Sequence, residues 1–177
     1  VKRYARKHPH AMGEWSPASR THVSHMRSGD FYHSEKCMTM DKACDVKMDL
    51  LTRYGEVIVL KEKTPLLQGE IIDSMFMSKK ALCQFIEDQL QDAHDTGVMF
   101  SLHVKATMMK VSHPIVFGHA VKVFYKDLFE KHADLFERLG VNANNGISSV
   151  YEKIQALPRS VREEIEADIH ACYQTRP

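Results

Sequence analysis

Between Ser78 and Gly97 the chain carries a start signal, a stop signal and a one-sided apolar stripe, which together demand an amphipathic helix. Leu82, Phe85, Ile86, Gln89, Leu90 and Ala93 fall at i, i+3, i+4, i+7, i+8 and i+11, one face broken only by Gln89. Ser78 is placed to accept the first free N–H groups, and Gly97 to close the helix in the left-handed region. A helix with one apolar face must bury it, so it needs further elements to pack against.

Strand patterns precede that helix. Asp45 to Thr52 alternates, with Val46, Met48 and Leu50 on one face and Lys47, Asp49 and Leu51 on the other. Val57 to Leu60 is a short β-branched run, and Gly55 between the two predicts a hairpin turn. Gly69 to Met77 predicts another strand, and Val98 to Val104 a buried one. From Pro114 the period is helical again, through Phe117, Val121, Phe124, Leu128 and Leu135 to Leu139, closed by Gly140. Asn144-Asn145-Gly146 predicts a turn, followed by short helices over 147–157 and 158–173, with Pro158 in the first turn of the second. Val1 to Lys7 reads as the end of a helix. The expected fold is α/β: a mixed sheet with flanking helices, opened by an irregular segment and a hairpin. The chain reads as a single domain over 1–177, made of an irregular His-rich segment over 1–30 and an α/β body over 31–177.

Composition narrows the function classes. Basic and acidic side chains nearly balance, 24 against 23, which argues against a dedicated nucleic-acid binder. No apolar run approaches the roughly 18–20 residues of a membrane helix, and nothing near Val1 resembles a signal peptide. Cys37, Cys44, Cys83 and Cys172 show no CxxC pair, so reduced thiols and a cytoplasmic location are expected. The chain begins without Met and ends at Arg176-Pro177, which reads as a section of a longer polypeptide.

Several residues could carry chemistry. His8, His10, His22, His25 and His33 cluster early, and His103, His113 and His119 later, but none forms an HExxH motif or zinc-finger spacing. Solvated or hydrogen-bonded histidines and a metal-storage role are the competing readings. Lys2, Arg3, Arg6 and Lys7 could bind an anion or form a solvated face. Met75, Met77, Met108 and Met109 read as core filler. Lys105 is different, because an apolar run places it near the end of a predicted strand, where open α/β sheets build their sites. Desolvation of a lysine lowers its pKa and suits it to proton transfer beside an alkoxide or carbonyl. Snorkelling from a strand end is the alternative.

Longer segments carry a resemblance. His8-Pro9-His10-x-Met12-Gly13-x-Trp15-Ser16, Thr21 to Met26, Gly29-Asp30-Phe31-Tyr32, Gly69 to Ser74, and His103-x-Lys105-Ala106-Thr107-Met108-Met109-Lys110-Val111-Ser112 occur in order. Together they resemble the monomeric-type NADP-dependent isocitrate dehydrogenases of bacteria, over essentially the whole chain. The resemblance implies an internal part of the large, substrate-side α/β domain of a much longer oxidoreductase of the tricarboxylic acid cycle. It implies oxidative decarboxylation of isocitrate to 2-oxoglutarate with NADP and Mg²⁺ or Mn²⁺. Lys105 would be the catalytic lysine, handling a proton at the substrate hydroxyl and carboxylate, and Thr107 would line the substrate pocket. The family's Ser/Asn/Arg substrate segment is expected upstream of Val1. Its metal-binding aspartates, catalytic tyrosine and NADP region are expected downstream of Pro177. No cofactor-binding or metal-binding residue is therefore assigned in this chain, and Asp73, Asp127 and Tyr125 receive no catalytic role. Its partners would be isocitrate and the remaining domains, without nucleic acid or membrane. The isolated chain is expected to be inactive and to self-associate through apolar surface that its neighbours would cover. A stand-alone module that binds a carboxylate or phosphate, resting on the basic start, is the alternative.

Overall fold

A computed structural model describes residues 2–9, 13–105 and 107–177. His10, Met12 and Ala106 of the motifs above lie outside them. The elements run α1 (Lys2–Lys7), α2 (Phe31–Ser34), β1 (Lys36–Thr39), β2 (Cys44–Leu51), β3 (Val57–Leu66), β4 (Ile71–Ser74), α3 (Lys79–Thr96), α4 (Ser112–Phe124), α5 (Lys126–Lys131), α6 (Ala133–Leu139), α7 (Ser148–Ile154) and α8 (Arg159–Thr175). A short 3₁₀ turn, Ala143–Asn145, precedes α7.

The α3 helix forms as its residues dictate. Ser78 Oγ accepts from the Ala81 N–H, and Gly97 closes the helix at φ +64°. Its apolar face buries Leu82, Ile86 and Leu90 against Met26 and against Ala120 of α4. Gln89, the polar interruption in that face, is half-buried and accepts a hydrogen bond from Ser24. The irregular segment is thereby explained, because it runs antiparallel along α3. Arg20 lies beside Gly97, His22 Nε2 meets Asp92 at 2.9 Å, Met26 enters the core, and the Gly29 carbonyl accepts from the Ser78 N–H at 2.7 Å. A side chain at Gly29, where φ is +73°, would crowd Ser78 and Ala81.

The α/β class and the hairpin hold. The strands, however, make two separate antiparallel pairs, β2 with β3 and β1 with β4, rather than one sheet. Strand β1 escaped the sequence reading because four residues with no buried side chain give no periodicity to detect. The register shifts around Met48, which breaks the expected alternation of Val46, Met48 and Leu50 on one face. Both faces of the hairpin are open near its tip, with Leu51 69% and Leu60 65% exposed. The predicted strand over 98–104 is irregular backbone without a strand partner. Among the described residues no sheet edge reaches it, and an apolar run alone cannot supply ladder bonds.

The predicted helix from Pro114 to Leu139 begins earlier, at Ser112, and is broken at Tyr125 and His132. Pro114 is tolerated in the first turn, where the N–H has no helical acceptor. Both break residues are tied to α8. Tyr125 Oη lies 2.9 Å from Tyr173 Oη, and His132 Nε2 lies 2.6 Å from Asp168. Around them Leu128, Phe136, Val150, Ile154, Ile165, Ile169 and Cys172 form the larger core. Phe124 packs against both cores.

Gly118 permits a close approach between α4 and the 3₁₀ turn. A Cβ there would overlap the Asn144 side chain and come within 3.0 Å of the Asn144 backbone nitrogen. Gly118→Ala is therefore expected to destabilise the protein by about 1–3 kcal/mol, despite alanine's better helix propensity. Urea unfolding of both proteins checks this, and an unchanged or raised midpoint would show that the 3₁₀ turn yields freely.

Candidate active site

Lys105 stands on the irregular segment that leads from Gly97 into α4. The turn around it is built from its own backbone. The Lys105 carbonyl accepts from the Met108 and Met109 N–H groups at 3.2 and 3.3 Å, and the Met109 carbonyl accepts from the His113 N–H at 3.2 Å. The Lys105 N–H donates to His113 Nδ1 at 3.0 Å. Because that nitrogen accepts, the ring proton of a neutral His113 sits on Nε2. His113, in the first turn of α4, therefore ties the lysine's backbone to a helix that is fixed by the core. Sequence reasoning placed His113 in a loose histidine group and missed this tie. The signal was its position at a helix start, eight residues after the lysine.

The expected desolvation of Lys105 at a strand end is not found in this chain. Lys105 and Thr107 are both exposed, and the strand on which the argument rested does not form. The local charge pattern still favours anions, since no Asp or Glu occurs between Asp95 and Asp127. Among the described residues Lys105 forms no ion pair, which leaves its ammonium available. His103 turns instead to Ser101, at 2.7 Å.

The other histidines disperse. His22 pairs with Asp92, His33 with Asp30 at 2.7 Å, and His25 contacts the Met26 carbonyl. The Arg20 carbonyl, then Asp92, raise the His22 imidazole above its ordinary value. Asp73 faces Glu35, whose carboxyl it pushes up by hydrogen bonding and charge. Tyr125 is buried in the helical core, and burial followed by the Tyr173 hydrogen bond holds its phenol far above the ordinary range. All four cysteines are free thiols.

Among the described residues one set, His132, Glu164 and Asp168, brings its donor atoms within 4.8 Å of one another. The Lys131 ammonium already lies between the two carboxylates, 3.0 Å from Glu164 and 2.7 Å from Asp168. This is a clamp joining the α5–α6 break to α8. Burial pushes the Asp168 carboxyl up, but hydrogen bonds from Lys131 and His132 outweigh it and hold the pKa below its ordinary value. A depressed carboxyl contributes stability that is complete above its unfolded pKa and is lost as pH falls through the folded one. Asp168→Asn is thus expected to cost about 1–2 kcal/mol near pH 7 and much less near pH 3. Denaturant melts of both proteins at the two pH values check this, and a gap that widens in acid would refute the clamp.

Mg²⁺ and Mn²⁺ need carboxylate oxygens, and the segment carrying Lys105 has none. Both strand pairs are antiparallel, so the described residues contain no parallel βαβ unit of the doubly wound dinucleotide-binding kind.

Comparison with known proteins resolves what an exposed lysine on a loop cannot. The family model for monomeric isocitrate dehydrogenase matches residues 1–177. The chain belongs to the monomeric isocitrate dehydrogenase family. It is 68% identical over its whole length to the isocitrate dehydrogenase [NADP] 2 of Mycobacterium tuberculosis. It is 63% identical over all of its residues to the isocitrate dehydrogenase [NADP] 2 of Psychrobacter sp., and 52% identical to the isocitrate dehydrogenase [NADP] of Azotobacter vinelandii. In each case it covers 24% of the relative, so the chain spans about a quarter of the length of these family members. Among the described residues no helix is long and apolar enough to cross a membrane.

Proposed function

We propose that this chain is one section of the substrate-side domain of an NADP-dependent isocitrate dehydrogenase and contributes the lysine that handles the substrate's proton. The observation that carries the proposal is the family match over all 177 residues, Lys105 included. Oxidation of isocitrate removes the hydroxyl proton, and decarboxylation leaves a carbanion-like carbon that must be reprotonated. Lys105 is given the proton-handling role at the hydroxyl and carboxylate, and Thr107 a place in the pocket wall. The acid-free stretch around Lys105 supports a trianionic substrate, because no carboxylate of this segment repels it. Turnover also needs NADP as hydride acceptor and Mg²⁺ or Mn²⁺ at the substrate, both held by other parts of the full-length protein. Enclosure by those parts supplies the desolvation that the exposed loop lacks. The full-length protein acts in the cytoplasm.

The test is isocitrate-dependent NADP reduction by the full-length protein with Mg²⁺ or Mn²⁺ added. Turnover is expected there, and none from the 177-residue chain alone. The isolated section lacks the positioning of hydride acceptor and metal, each worth several kcal/mol of barrier. Absence of turnover in the full-length protein would favour the stand-alone anion-binding module instead.

The hairpin supports a second part of this reading. A two-stranded hairpin with both faces open is marginal in water, and β2–β3 exposes Leu50, Leu51, Val57, Ile58 and Leu60. Other parts of the full-length protein cover that surface. The 177-residue chain alone is therefore expected to associate with rising concentration through the hairpin. Sedimentation velocity checks this, and a clean monomer at high concentration would contradict it.

A further inference from the structure

An open groove of about 530 Å³ lies between α3 and the α4–α5 joint. Lys79 and Lys80 line one wall, and Lys122 and Lys126 the other. Four lysines thus line one groove in a chain whose formal charge is only +1. Among the described residues Lys79, Lys80 and Lys122 form no ion pair, and Lys126 only reaches Glu130 at 4.0 Å. The one carboxylate in the wall, Glu87, is taken by Arg176, whose Nη1 lies 2.8 Å from Oε1. Arg176 itself is mostly buried, so that pairing is fixed by packing. His119 lies close enough that burial, then Lys79 and Lys122, hold its imidazole below its ordinary value. The two helix walls therefore bring their lysines to bear on one place. The N-terminus of the 18-residue α3, at Lys79 and Lys80, adds its partial positive charge.

Uncompensated like charges repel, and folding gains nothing by collecting them here. We propose that this groove binds a small anion carrying two or more linked phosphate groups, with Lys79, Lys80, Lys122 and Lys126 as its ligands. Lysines on two facing helices suit an anion that carries several linked negative groups, as a phosphate chain does. Lysines bind phosphate oxygens as point charges without requiring planar geometry. The ligand is either inorganic polyphosphate or the phosphate chain of a nucleotide, which share this chemistry. The inference rests on these residues alone and is independent of the role given to Lys105.

The test is calorimetric titration of tripolyphosphate into the full-length protein at low salt, with orthophosphate as the comparison. Saturable binding, about tenfold or more tighter than orthophosphate, is expected, with His119 imidazole resonances moving as the groove fills. The double variant Lys79→Gln/Lys122→Gln should bind about tenfold more weakly. Its circular dichroism and melting temperature should match wild type, because both side chains are exposed. The double variant Lys47→Gln/Lys63→Gln removes the same charge from the hairpin and should leave binding unchanged. Repeating the titration with ATP identifies the source, since added affinity marks a nucleotide and equal affinity an inorganic chain. No saturable binding to wild type, as a groove covered by another part of the protein would give, overturns the proposal. Equal weakening in both double variants overturns it too, because net charge alone would then explain the binding.

Discussion

Lys105→Met in the full-length protein is expected to lower kcat for isocitrate-dependent NADP reduction by about 10²–10⁴-fold. The size follows from the role proposed for the ammonium. A proton-transfer group acts mainly in the transition state, so its loss falls on kcat more than on KM. Some rise in KM is also expected, since the same charge meets a trianion in a stretch without carboxylates. Lys105→Arg separates the two effects. It keeps the charge but holds its proton too firmly to pass it on, so KM should recover while kcat stays low. Steady-state kinetics with saturating metal make the measurement. A kcat within a few-fold of wild type for Lys105→Met would remove the catalytic assignment while leaving the family membership intact.

Ile165→Ala is expected to destabilise the protein by about 2–5 kcal/mol. Ile165 is fully buried in α8, with Ile169 and Cys172 continuing the same face, and it packs in the cluster that holds Val150, Ile154 and Phe136. Removing three carbons leaves a cavity that the helical pieces packed around α8 cannot close without moving their joints. Ile58→Ala changes the same residue type in the β2–β3 hairpin, where Ile58 is 42% exposed, and should cost below about 1 kcal/mol. Denaturant unfolding of the two variants gives the comparison directly. Equal losses would mean that the hairpin is packed in solution, in the 177-residue chain as well as in the longer protein.

The contrast between these two isoleucines shows where sequence reading succeeds and where it stops. The α3 helix was legible because Ser78, its apolar face and Gly97 act within a few residues of one another. The β2–β3 hairpin was legible for the same reason, with Gly55 at φ +83° in its turn. The Val98–Val104 run was misread because an apolar stretch states a wish to be buried, not the presence of a strand edge to pair with. The unbroken period from Pro114 to Leu139 hid two breaks, at Tyr125 and His132, whose partners lie on α8 some forty residues on. Several motifs in order, the Lys-Ala-Thr-Met-Met-Lys segment among them, gave away the family, while the tie from His113 to the Lys105 backbone needed coordinates.

Local signals, read from residues within a turn or two of each other, determined the helix caps and the hairpin, and motifs spread along the chain determined the family. Tertiary structure alone decided that Gln89 serves Ser24, that the irregular start lies along α3, and that Lys79, Lys80, Lys122 and Lys126 share one groove. The physical reason is range. Capping, turn geometry and periodicity are settled by neighbours along the chain, whereas a hydrogen-bond partner, a cavity or a cluster of charge depends on which distant segments the cores bring together.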